Sequence, residues 1–253
     1  MLKIVMPCIL CLNAAVIFAE APPDWFTPLQ DAVYADTHDA DSIASLGNKI
    51  EETAKRELSE PELSNMLSLC EFFIGKAYQN EQNAKQALTH FQLGLDYAGV
   101  FIKTNPTSNG YRMMAENISQ ICTMKSAAWV IANGLKVEQY AKKGLAYNSR
   151  NAACSYLIAA RWVYAPAPFN NIKKGINEMK TILSGSYDIQ KDDYFNIYYA
   201  IAYAYNRTNQ TDEVMPWLEK ALAIYPTNKD ALNLKQGKAR IIDTIDSYAA
   251  ETE

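Results

Sequence analysis

The sequence predicts an all-α protein, an α-solenoid of stacked antiparallel helix pairs. Three observations predict this class. Hydrophobic residues make up 49% of the 253 residues, with only 10 glycines and 10 prolines, which is typical of a packed helical chain. Apolar residues recur with the spacing of helix faces, and one helix–turn–helix pattern returns along the chain. We expect about four repeats, preceded by an N-terminal helical extension and followed by a C-terminal capping helix.

The clearest unit spans residues 194–226 and is predicted to be two helices that end at a proline. Pro226 ends the unit because proline removes a backbone donor and restricts the residue before it. A polar segment, residues 206–213, separates the two helices. The first helix has one apolar face and the second has another, formed by Tyr198, Ile201, Ala202 and Tyr205, then by Val214, Leu218, Ala221 and Leu222.

The spacing of small and large residues identifies the type of repeat. A frame of about 34 residues with Pro226 as its third-last member begins at Phe195. Ala202 and Ala221 are then the small residues at which the two helices approach each other, and large side chains surround them. This pattern resembles the tetratricopeptide repeat. The resemblance implies a stacked helical array that makes protein–protein contacts.

Upstream segments fit the same frame to different degrees. The best match starts near Ser68, with Gly75 and Gly94 as its small residues. A further repeat around Ala159 and Gly175 has a longer, proline-rich turn at residues 165–171. Between them lies an irregular repeat, for which we expect a long helix over residues 111–132. A last helix over residues 228–248 is expected to cap the array.

The N-terminus is typical of an exported protein. Lys3 precedes an apolar stretch, Ile4–Phe18, and Ala19 lies at a small-residue cleavage site, so we expect a signal peptide removed after Ala19. The expected location is the periplasm or the cell envelope. An uncleaved segment would be the part of the chain that contacts the membrane. Lipidation is a minor option, because neither Cys8 nor Cys11 follows a small residue. The predicted domains are residues 1–19 (signal), 20–58 (lead-in and helix) and 59–253 (repeats with cap).

No catalytic, cofactor or metal residues are predicted. The chain has two histidines, His38 and His90, which do not form a metal-spaced pair, and it has no phosphate-binding glycine loop or nucleophile elbow. Asp192 and Asp193 are interpreted as helix-start and surface charges. The net charge of −4 argues against nucleic acid as a partner. We therefore expect a non-enzymatic protein with a protein or peptide partner. Three cysteines are expected to be free thiols, namely Cys70, Cys122 and Cys154.

The candidate partner-binding residues come from the resemblance to tetratricopeptide repeats, in which one row of the first helix lines the concave face. In this chain that row is rich in tyrosine and asparagine, and tyrosine is enriched where partners dock. Packing of the same tyrosines between repeats is an equally weighted alternative for Tyr199 and Tyr203. The candidate residues are Asn196, Tyr199, Tyr203, Asn206, Tyr156, Phe72 and Lys76.

The layout also resembles, more weakly, the T component of tripartite periplasmic (TRAP) transporters. That resemblance is carried by the irregular middle repeat and by the aromatic, proline-rich turn at residues 165–171. It implies an alternative function, that of a periplasmic accessory subunit that binds a small apolar ligand or the solute-binding subunit of a transporter.

Overall fold

The structure, a computed structural model, describes residues 22–239 and confirms an α-solenoid. Within this range the chain forms twelve α-helices and no β-strand. The helices are α1 (Thr27–Tyr34), α2 (Ala40–Glu57), α3 (Glu60–Asn80), α4 (Ala84–Thr104), α5 (Ser108–Cys122), α6 (Ala127–Asn133), α7 (Leu135–Tyr147), α8 (Ala152–Tyr164), α9 (Ile172–Ser184), α10 (Lys191–Arg207), α11 (Thr211–Ile224) and α12 (Lys229–Lys235).

Four helix pairs build the array: α3 with α4, α5 with α7, α8 with α9, and α10 with α11. The first members of the pairs, α3, α5, α8 and α10, contact one another in that order and form an inner row. We call the surface of this row the inner face. The second members of the pairs lie outside it, so the inner face is the concave side of the array.

Small residues allow the paired helices to approach closely, as the repeat frame predicts. A Cβ atom on Gly75 of α3 would lie 2.8 Å from the Phe91 ring of α4, so only glycine fits there. In the last pair, Ala202 and Ala221 are fully buried beside the fully buried Leu218. Complementary residue sizes therefore determine where each pair crosses.

The middle repeat differs from the expectation of one helix over residues 111–132. The helix ends at Cys122, and a separate short helix, α6, starts at Ala127. Thr123 ends α5, because its backbone and its hydroxyl both donate to the Gln120 carbonyl, at 3.0 and 2.7 Å. Its hydroxyl also accepts a hydrogen bond from Gln79 of α3 at 3.0 Å. The prediction of a continuous helix is therefore wrong at residues 123–126.

The C-terminal cap is shorter than predicted within the described range. Helix α12 ends at Lys235, and Gly237 adopts a positive φ of 69°, the left-handed conformation that commonly follows a helix end. The predicted single helix over residues 228–248 is therefore wrong at this turn. Residues 240–253 and the predicted signal peptide, residues 1–19, lie outside the described range. Between residues 22 and 239, none of the helices combines the length and the apolar character needed to cross a bilayer.

Candidate partner-binding face

Helix α1 lies against the inner face and connects the first helix pair to the last. Its Tyr34 ring stacks on Tyr225, with centroids 5.1 Å apart, and meets the edges of Phe73 of α3 and Phe195 of α10 at 5.9 and 5.5 Å. Only 6% of Tyr34 is exposed. Because one ring contacts both α3 and α10, the array curves enough to bring its two ends to the same short helix.

Hydrogen bonds to α1 come from the last repeat and from the start of α12. The Asn196 amide donates to the Tyr34 hydroxyl at 2.8 Å, and the Asn228 amide donates to the Tyr34 carbonyl at 2.8 Å. The Asp31 carboxylate accepts from the Tyr225 hydroxyl at 2.9 Å and pairs with Lys191 at 2.8 Å. These polar contacts, together with the burial of its apolar side, fix the position of α1.

Two of the predicted face residues, Asn196 and Lys76, contact Tyr34, and a third, Phe72, lies in the core next to Phe73. Asn196 binds its hydroxyl, and the Lys76 ammonium lies 5.9 Å from its ring centroid, within range of a cation–π contact. Phe72 is 6% exposed and packs against Phe73 and Phe91, with centroid distances of 5.4 and 5.9 Å. Phe72 therefore packs in the core, whereas Asn196 and Lys76 are half-buried.

The predicted tyrosines form one group between α8 and α10. The Tyr203 ring lies 5.1 Å from Tyr164 and 6.4 Å from Tyr199, and the hydroxyl of Tyr156 hydrogen-bonds Tyr164. Burial raises the pKa of Tyr156 and Tyr199, so both are neutral hydroxyls that donate and accept hydrogen bonds. Tyr203 is 4% exposed and packs between the helices.

Two predicted residues of the α10 row retain part of their surface. Tyr199 and Asn206 are half-buried, on the same side of the helix as Tyr203. In this row Tyr203 therefore packs in the core, whereas Tyr199 and Asn206 keep part of their surface accessible to solvent. The binding role of this row stays a prediction.

The structure contains a buried cluster of charged residues at the inner face, which the sequence did not predict. Arg112 of α5 binds Glu116 at 2.8 Å and lies 3.5 Å from Asp192 of α10. Asp192 and Asp193 are each 3% exposed, so the interpretation of this pair as surface charges is wrong, although both lie in the first turn of α10 as expected. Burial, together with the charges of Asp192 and Glu116, raises the pKa of Asp193 to about 7, while Arg112 opposes the shift.

The sequence contains no local signal for this cluster. Arg112 and Asp192 are eighty positions apart, and they meet only because the array curves. The acidic pair also has the ordinary appearance of a helix start, and Asp193 does fulfil that role by accepting the Gln190 backbone N–H at 3.0 Å.

A histidine of the first repeat contacts the neighbouring helix of its pair. His90 of α4 lies 2.6 Å from Glu71 of α3 and stacks on Tyr78, so this pair joins the two helices of the first repeat. Across residues 22–239, no three His, Cys, Asp or Glu side chains are placed to hold a metal ion. Cys70, Cys122 and Cys154 are free thiols, and Cys70 and Cys154 are buried.

The proline-rich turn at residues 165–171 is fixed to the end of α10. The Arg207 guanidinium donates to the carbonyls of Val163 and Ala165, the latter at 3.1 Å. The backbone N–H of Asn171 donates to the Trp162 carbonyl at 3.0 Å. Phe169 is 51% exposed in this turn. The turn therefore presents an aromatic side chain close to the end of the helix that carries Asn206.

Comparisons with known proteins agree with this architecture. The model of the tetratricopeptide repeat family matches residues 195–228, the same frame that the residue pattern predicts. The structure is similar to the crystal structure of TTC0263, described as a thermophilic TPR protein in Thermus thermophilus. The TM-score is 0.53 at 17% sequence identity, over 89% of this chain and 99% of that chain. No curated protein matches the chain at the sequence level.

Proposed function

Because the chain carries a tetratricopeptide repeat and has the fold of tetratricopeptide-repeat proteins, we propose that it is a non-enzymatic scaffold that binds a protein or peptide partner through its inner face. Proteins of this fold commonly bind other proteins.

The observation that carries the proposal is the presence of α1 on the inner face. Phe26 and Leu29 are fully buried, and Val33 and Tyr34 are 3% and 6% exposed. These residues follow the i, i+3, i+7, i+8 spacing of a helix that lays one apolar side into a groove. The inner face therefore accommodates an amphipathic helical segment, and such a segment is the class of ligand that we propose for it.

The accessible part of the face lies along α10, where Tyr199 and Asn206 are half-buried, and it extends from the middle of the helix to its last turn. Tyrosine supplies a large contact area together with a hydroxyl, and asparagine supplies a donor and an acceptor. The exposed Phe169 extends this surface at the proline-rich turn. A partner with an apolar anchor and backbone or side-chain polar groups fits this combination.

Export to the periplasm or envelope is part of the proposal, and it rests on residues 1–19. Nothing in the described residues or in the comparisons points to the transporter alternative.

The proposal is tested by site-specific photo-crosslinking in cells that produce the protein. A benzophenone amino acid replaces Asn206 of the inner face in one variant and the exposed Glu219 of the outer helix α11 in a matched control. We expect the Asn206 variant to form an adduct with a protein that mass spectrometry identifies, and the Glu219 variant to form none with it. Equal adducts from both positions, or adducts from Glu219 alone, contradict binding at the inner face.

A further inference from the structure

A second surface, on α6 and α7, differs from the rest of the chain in charge. Residues 121–150 contain five of the 24 basic side chains but only one of the 28 acidic ones, so this segment has a net charge of +4 and the remainder of the chain −8. The segment covers the end of α5, the break after it, and both later helices of the irregular repeat. Positive charge is therefore concentrated on one part of an acidic protein.

The same segment exposes apolar side chains. Helix α6 has no buried residue, although six of its seven residues are apolar. Ile131 is 60% exposed and Leu135, one turn later, is 58% exposed. Ala128 and Ala132 lie on the same side and are also exposed. Monomeric proteins rarely expose contiguous apolar surface of this kind without an interaction that covers it.

Lysines surround this apolar surface. Lys136 donates to the Asn133 side chain at the end of α6, at 2.8 Å, and Lys142 lines the same shallow depression as Leu135. The one acidic residue, Glu138, is neutralised by Lys142 at 2.7 Å and by Arg161 at 2.8 Å. Lys125 precedes α6. In the described part of the chain, Lys125 and Lys136 form no ion pair.

We propose that this surface, which we call the α6 face (Ala128, Ile131, Ala132 and Leu135 with Lys125, Lys136 and Lys142), docks on the surface of an anionic lipid bilayer. A short apolar side flanked by lysines is the composition of segments that lie in the membrane interface, with aliphatic side chains among the acyl chains and ammonium groups at the lipid phosphates. The inner face would then be free to bind its partner.

Two features favour a bilayer over a protein as the occupant. The exposed Ile131 and Leu135 lie at a break in the array, near the end of α6 and at the start of α7. Leu135 borders a shallow, open depression, which suits the broad surface of a bilayer better than a segment of a protein. The positive charge is also spread over several lysines around them, which matches a field of lipid phosphates better than a single acidic side chain. The competing occupant is a second copy of the chain, because the residues outside 121–150 have a net charge of −8 and could attract these lysines.

The electrostatic part of the proposal is tested by co-sedimentation of the chain without residues 1–19, the predicted signal peptide, with vesicles of phosphatidylglycerol and phosphatidylcholine. Each lysine near an anionic surface strengthens binding by about fivefold. Lys125→Gln with Lys136→Gln, at the two lysines that form no ion pair in the described part of the chain, should therefore weaken binding by about 25-fold. The control pair, Lys49→Gln with Lys85→Gln, makes the same change in charge at exposed positions elsewhere and should change binding less than threefold. Equal losses in the two pairs would overturn the proposal.

The apolar part is tested by a local readout on α6, which reports insertion of this face and not binding by another part of the chain. Lipids brominated on the acyl chain should quench the fluorescence of Trp129, and the Trp129→Phe variant should lose that quenched component. Ile131→Glu should abolish the Trp129 quenching, whereas Val100→Glu, at a position 52% exposed on α4, should leave it unchanged. Unchanged quenching in Ile131→Glu overturns the proposal.

Sedimentation velocity without lipid tests whether a second copy of the chain binds to the α6 face. We expect wild type and Ile131→Glu to sediment identically over the accessible concentrations. A concentration-dependent dimer in the wild type that Ile131→Glu removes would assign the α6 face to a second copy of the chain and would also overturn the proposal.

Discussion

The last repeat, α10 with α11, and the middle repeat, α5 to α7, are both built on an antiparallel helix pair, but they differ in how completely they bury their apolar side chains. In the last repeat, Ile201, Ala202 and Leu218 are fully buried, and each helix contributes a continuous apolar side to the core. In the middle repeat, α5 and α7 pack together in the same way, but α6 between them buries no residue. Apolar residues that follow the helix spacing of the repeat are therefore buried, whereas apolar residues in the segment that interrupts the repeat remain exposed.

The difference also separates two uses of apolar residues. Those of the last repeat fill space between helices, so they determine stability and the position of the inner face. In α6, Ile131 is 60% exposed, so its contribution to stability is small, whereas Trp129 of the same helix is half-buried and packs against the core.

The largest contrast is expected between Leu218→Ala and Ile131→Ala. Leu218 is fully buried, so its truncation leaves a cavity and should lower the free energy of unfolding by about 3 kcal/mol. Ile131 is 60% exposed, so its truncation should change that free energy by less than about 0.5 kcal/mol. Urea unfolding of both variants measures the two values. Similar values for both would show that α6 contributes to the core as much as α11 does.

A second prediction concerns pH and the buried charges at the inner face. The pKa of Asp193 is about 7 in the folded protein, against about 3.9 in an unfolded chain. The folded protein therefore binds more protons between these values, and the contribution of this group to stability is lost as the pH rises from about 4 to 7. Asp193→Asn should remove that loss and stabilise the protein at pH 8 by on the order of 1–3 kcal/mol.

Chemical unfolding of wild type and Asp193→Asn at several pH values checks this prediction. Asp212→Asn, in the exposed first turn of α11, is the matched control and should leave the pH dependence of wild type unchanged. The prediction fails if the stability difference between Asp193→Asn and wild type is the same at pH 4 and pH 8.

A third, smaller effect tests whether the irregularity of the middle repeat is confined to α6. A Cβ atom on Gly144 of α7 would lie 2.6 Å from the Cys154 sulfur and 3.1 Å from the Ser108 carbonyl oxygen. Gly144→Ala should therefore destabilise the protein by about 1–2 kcal/mol through overpacking. Gly99 of α4 has no neighbouring atom within 4 Å, so Gly99→Ala should stabilise it by about 0.5–1 kcal/mol. Thermal or urea unfolding distinguishes the opposite signs, and stabilisation by Gly144→Ala would contradict the close packing of α7.

The repeat frame is the part of the fold that could be predicted from the sequence. The frame starting at Phe195 coincides with the match of the family model, and Gly75 meets Phe91 because the crossing point of two helices depends on residues that are local in sequence. The break at Thr123 could not be predicted from periodicity, since apolar residues continue at positions 127–132, whereas α5 ends through hydrogen bonds of Thr123 to the Gln120 carbonyl.

The inner face shows the limit of prediction more clearly. The position of α1 between α3 and α10 depends on contacts with residues more than 150 positions away, such as Asn196 and Asn228, and sequence periodicity does not report such contacts. The Arg112 cluster depends on the same curvature of the array. Periodicity identifies which residues face inward, and it contains no information on which of them meet.

The central claim, that the inner face binds the partner, is tested most directly by affinity. The protein captured by crosslinking is purified, and its dissociation constant is measured for wild type, Asn206→Ala and the outer-helix control Glu219→Ala. We expect about tenfold weaker binding for Asn206→Ala, as for a residue at the centre of an interface, and wild-type affinity for Glu219→Ala. Unchanged binding by Asn206→Ala, together with weaker binding by Glu219→Ala, would place the partner on the outer helices and contradict the claim.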